Sequence, residues 1–67
     1  MNNWYRVSNE TLAKCMQMPD ELVKYCTAEA TRMERSPWSP GTPWYEWFDS
    51  IVETEYLKAK TEGKLII

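Results

Sequence analysis

Residues 42–63 read Thr-Pro-Trp-Tyr-Glu-Trp-Phe-Asp-Ser-Ile-Val-Glu-Thr-Glu-Tyr-Leu-Lys-Ala-Lys-Thr-Glu-Gly. Thr42 is a helix-capping residue type, and Pro43 suits the first helical position. Trp44, Trp47, Phe48, Ile51 and Val52 then recur at helical spacing, and Gly63 offers a stop. The pattern predicts a long helix ending at Glu62. At about 100° per residue, Trp47, Ile51, Trp44, Phe48, Ala59, Val52, Tyr45 and Tyr56 form an arc covering about half its circumference. The opposite face carries Glu46, Asp49, Glu53 and Lys60. The first three follow steps of three and four residues and form one acidic stripe. Its plainest role is a solvated face. Its functional alternative is a docking surface for a basic partner.

Immediately upstream, residues 36–43 hold Pro37, Pro40 and Pro43. Pro37 disfavours helix at Ser36, and Pro40-Gly41 suit the centre of a type II turn. A stiff connector is expected rather than a flexible linker. Trp38 within it would either fold back as a lid or stand out as a recognition anchor, since a ring on a rigid loop loses little entropy on binding.

Farther upstream two shorter helices are expected to fold onto the long one. Ser8 caps the first, over about Asn9–Gln17, with Val7 and Leu12 at the positions of a hydrophobic staple. Leu12 and Met16, with Ala13 or Cys15, should face inward, and Glu10, Lys14 and Gln17 outward. Pro19 suits the first position of the second helix, with Asp20 and Glu21 in its first turn, where negative charge is favoured. That helix should run to about Arg35 with Leu22, Cys26, Ala30 and Met33 inward, flanked by Val23 and Tyr25. The apolar tail 64–67 should pack, and it could pair with residues 4–7 as a two-stranded ribbon lying on the helices. The expectation is a mainly α, three-helix domain spanning residues 1–67.

Sixty-seven residues give a thin core, and the apolar content lies in large side chains: four Trp, four Tyr, one Phe and four Met. Ten acidic and eight basic residues leave a net charge of −2, which is no footprint for nucleic acid. The first turn of the second helix is acidic, opposed to entry into a DNA groove. No stretch approaches a membrane span, and the acidic face of the long helix has the wrong sign for anionic lipid. The opening residues lack the apolar run of an export signal, so a cytoplasmic setting with reduced Cys15 and Cys26 is expected. There is no histidine, no close-spaced cysteine pair and no glycine-rich phosphate loop, so no cofactor is expected.

Two glutamates interrupt the apolar pattern. Glu29 falls in the inner stripe of the second helix, and Glu55 in the centre of the long helix's arc. They either reach solvent or an ion pair at the core's edge, or approach each other as an acid–base pair or partial metal site. The best-supported class is a protein-binding module acting as a small accessory, regulatory or inhibitory protein. A chain this short with nine aromatic residues exposes some of them, and exposed apolar patches mark interaction sites. The expected anchors are Trp38, Trp44, Tyr45 and Trp47, framed by Glu46, Asp49 and Glu53, for a partner with a basic or apolar groove. The size would suit a mobile-element or phage accessory protein. The alternatives are a homodimer or other homo-oligomer joined through helix 43–62, and a small enzyme or metal-binding protein using Glu29 and Glu55.

Overall fold

The computed structural model describes residues 6–37 and 41–66. It is mainly α: α1 (Asn9–Gln17), α2 (Asp20–Glu34) and α3 (Trp44–Glu62), with α3 packed against both others. No described helix is long and apolar enough to cross a membrane.

The expected cap starts α1. Ser8 Oγ accepts from the Thr11 N–H at 3.2 Å, and the Ser8 hydroxyl donates to Thr11 Oγ1 at 2.9 Å. The other two helices begin on prolines that stand one position earlier than expected. Pro19 and Pro43 are the N-caps, with extended ψ of 147° and 159°. Their carbonyls take the first backbone donors, from Leu22 and Val23 in α2 and from Glu46 and Trp47 in α3. Proline has no N–H to leave unsatisfied, so the position is permissive. Because Pro43 holds the cap position of α3, Thr42 does not cap. Glu34, at the end of α2, does so in its place: its Oε2 accepts the Trp44 N–H at 3.0 Å. A carboxylate at this end is doubly favourable, satisfying an orphan donor and meeting the positive pole of the helix.

Trp44 is the centre of the core and fully buried. Its ring stacks on Phe48 with centroids 4.8 Å apart and planes 14° apart. Its Nε1–H donates to Thr31 Oγ1 at 3.1 Å, and the Thr31 hydroxyl donates onward to the Thr27 carbonyl at 3.0 Å. Val7, Met18, Cys26, Ala30, Phe48 and Val52 complete the buried cluster. The expectation that Trp44 is a surface anchor is therefore corrected. It lies at the meeting of α2 and α3, where burying a large ring adds most to a small core.

The orientation of α1 also departs from expectation. Thr11 is buried and Cys15 half-buried, whereas Leu12 is 36% and Met16 75% exposed. The face turned to α3 is polar because α3 presents tyrosines there. Arg6 sits over the Tyr45 ring at 5.8 Å and Lys14 over Tyr56 at 5.7 Å. The Tyr56 hydroxyl donates to Gln17 Oε1 at 3.2 Å. Cation–aromatic and hydrogen-bonded contacts thus stand at the α1 end of α3 where the packing of Leu12 and Met16 was expected. Val7, expected at the staple position, is part of the main core.

Gly63 ends α3 in the left-handed region with φ of 70°, as its expected role as a stop requires. The Gly63 N–H reaches the Lys60 carbonyl at 3.3 Å and the Lys64 N–H reaches that of Ala59 at 2.8 Å, the paired bonds of a Schellman closure. Gly41 has φ of 87°, the hand a type II turn needs, although Pro40 lies outside the described residues. Of the tail, Leu65 packs as expected and Ile66 is exposed. Leu65 lies against the core and the Ile66 N–H donates to the Gln17 carbonyl at 2.9 Å, satisfying an open carbonyl at the end of α1. Arg6 lies in a tight turn and Val7 in a bend, and the described residues contain no strand. The remainder of the expected ribbon, residues 4, 5 and 67, lies outside them.

Three stability outcomes follow. In urea unfolding, Trp44→Ala should remove about 3–5 kcal/mol, most of what a domain of this size holds. Thr31→Val, which leaves the indole N–H without its acceptor, should remove about 1–3 kcal/mol. Met16→Lys, by contrast, should change stability by less than about 0.5 kcal/mol. A large loss in the last variant would show that Met16 faces inward after all.

Candidate functional site

A cleft of about 230 Å³ opens between α2 and α3. Tyr25, Glu29 and Met33 line it from α2, and Trp47, Ser50, Ile51, Thr54 and Glu55 from α3. Both sets advance by three or four residues, so each forms a strip along one side of its helix. Trp47 and Ile51 back onto the core, and Tyr25 is 50% exposed.

The polar groups of the cleft are unequally satisfied. Trp47 Nε1 is buried and meets no acceptor among the described residues. An indole nitrogen can only donate, and leaving such a donor buried and unpaired costs about 1–3 kcal/mol. Glu29 is engaged by Arg32, one turn along α2, with Oε2 and Nη2 2.5 Å apart. That hydrogen bond and charge hold the Arg32 guanidinium more firmly protonated than usual. Glu55 is half-buried, and its carboxylate forms no hydrogen bond or ion pair with any described residue. Its charge reaches the interior: the Cys26 thiol is pushed up to about 12, first by burial and then by Glu55.

The expected anchors are not gathered in one place. Trp47 lies in the cleft and Trp44 in the core. Tyr45 lies on the other flank of α3, beneath Arg6. Trp38 is outside the described residues. Trp47 and Asp49 are two residues apart and hence about 160° apart around the helix, so the acidic stripe cannot frame Trp47. Glu46 and Glu53 are exposed. Asp49 turns toward α1, where one carboxylate oxygen is buried without a described partner. Its charge adds to burial in raising the Cys15 thiol. Both cysteines are free.

Glu29 and Glu55, singled out as breaks in the pattern, do share the cleft. Tyr25, Met33, Ser50 and Thr54 were not singled out as site residues. The four-residue steps from Tyr25 through Glu29 to Met33, facing the Trp47–Ile51 edge of the arc, were the available signal. Two carboxylates are too few ligands for a calcium site, and no cluster of three or more Cys, Asp or Glu suited to a metal occurs among the described residues.

A second, more open groove of about 550 Å³ lies between α1 and α2, lined by Leu12, Cys15, Met16, Asp20, Val23 and Lys24. It exists because α1 turns Leu12 and Met16 outward. On α3 itself, Leu57 is the large aliphatic side chain left exposed. No protein-family model, curated protein or solved structure matches the chain.

The thiols give a pH signature. The folded Cys26 pKa, about 12, lies above the ordinary 9.0, so the fold favours the neutral thiol. That contribution is complete below pH 9.0 and is lost as pH rises toward 12. Urea midpoints measured from pH 8 to pH 11 should therefore fall more steeply for the natural chain than for Cys26→Ala. Equal slopes would contradict the burial of Cys26 beside Glu55.

Proposed function

We propose that the chain is a protein-binding module, a small accessory, regulatory or inhibitory protein that docks through the α2/α3 cleft. The observation that carries this reading is Trp47. A large ring lining an open cleft, with a half-exposed Tyr25 opposite, has the chemistry of an interface anchor. Trp and Tyr dominate binding hot spots because they combine apolar area with one directional polar group. The footprint differs from the one expected from sequence. Trp47 remains its anchor, Tyr25 joins it, and the nearby carboxylates are Glu29 and Glu55 rather than Glu46, Asp49 and Glu53. The mode of action would be steric occlusion of the partner or bridging between two partners.

A second reading, self-association, draws support from the exposed Leu12 and Met16 beside Val23. It moves the contact from helix 43–62, whose apolar arc is largely covered by α1 and α2, to the α1/α2 groove. Light scattering across a concentration series separates the two, since a constant monomer mass removes self-association. A catalytic use of Glu29 and Glu55 has less behind it, because Glu29 is already engaged by Arg32.

The test is cross-linking in the source cell followed by affinity measurement with the partner so identified. Trp47→Ala and Tyr25→Ala should each weaken that affinity by about tenfold or more, with Asp49→Ala changing it far less. Unchanged affinity in both folded aromatic variants would overturn this docking surface.

A further inference from the structure

We infer that the α2/α3 cleft receives a cationic side chain, arginine or lysine, of the partner; this rests on the protein-binding reading and names the chemistry of what binds. Each part of such a side chain has a counterpart in the cleft. Its aliphatic stem fits the apolar lining of Met33, Trp47 and Ile51. Its charged head meets two aromatic residues, Trp47 and Tyr25, whose ring faces attract cations. It also meets the Glu55 carboxylate, which has no partner among the described residues.

Other occupants match less. A neutral aliphatic side chain uses the lining and leaves Glu55 unpaired. An acidic one is repelled by Glu29 and Glu55 together. Arg32 already covers Glu29, so Glu55 supplies the selective charge. The nearest competitor is Lys58, one turn farther along α3. It borders Glu55 in a separate cavity of about 130 Å³, with Leu22, Ala59, Glu62 and Lys64. The α1/α2 groove offers no comparable selection, because Asp20 and Lys24 bring both signs of charge to it.

The test is an NMR titration of the isotope-labelled full chain with blocked Gly-Arg-Gly, Gly-Lys-Gly and Gly-norleucine-Gly peptides. The norleucine peptide keeps the stem and the carbonyls but lacks the charge. At least one cationic peptide should give saturable shifts of the Trp47 indole N–H and the Ser50 and Ile51 amides. The norleucine peptide should bind about fivefold more weakly, and Glu55→Gln should remove that preference without altering norleucine binding. Equal binding of charged and neutral peptides would overturn the inference. So would no saturable shift with either cation, or an undiminished preference in folded Glu55→Gln. If the partner is lost with Trp47→Ala while the peptides show no charge preference, this inference fails and the protein-binding reading stands. A charge preference beside a partner indifferent to Trp47 would keep the cation site and remove the docking surface.

Discussion

Trp44 ties α3 to α2 by burial and two hydrogen bonds. Its ring, stacked on Phe48 of its own helix, is fully buried in the core, its indole N–H is fixed by Thr31, and its backbone N–H is capped by Glu34. The two hydrogen bonds come from one end of α2, so the start of α3 is docked there at two points. A ring of this size in so thin a core leaves little tolerance. Shifting α3 along α2 would break both polar contacts and open a void.

With that junction fixed, the remaining surface of α3 divides into flanks with different tasks. Toward α1 it shows Tyr45, which meets Arg6, and Tyr56, which meets Lys14 and Gln17, with Asp49 between them along the helix. Toward α2, beyond the buried centre, it shows Trp47, Ile51 and Glu55, and here the helices part enough to leave the cleft. The cleft is thus a by-product of where the core ends. The residues that complete it come from both helices, and neither helix alone would present them.

Much of the architecture was legible in the sequence. Ser8, Pro19 and Gly63 mark helix ends through local backbone chemistry, which needs no knowledge of the fold, and periodicity located all three helices. What failed was the choice between faces of similar polarity. In α1, Leu12 and Met16 looked like the inner pair by hydrophobicity. The partner surface instead offered tyrosine rings and a hydroxyl, which favour Lys14, Gln17 and the neighbouring Arg6. Trp44 and Trp47 are alike in sequence, and which one is buried depends on Thr31 and Glu34, distant in the chain. Thr42 lost its capping role to Glu34 for the same reason. Glu29 and Glu55 were found because a charge inside an apolar stripe is visible without tertiary information.

The most direct measurement is hydrogen exchange of the indole N–H groups, followed by NMR. The packing of Trp44 predicts that its Nε1–H exchanges only when the whole chain unfolds, with protection equal to the unfolding free energy from urea. Trp47, at the cleft, should exchange sooner through local opening. A Trp44 indole exchanging as readily as that of Trp47, at a rate unaltered by Thr31→Val, would contradict the central position given to it.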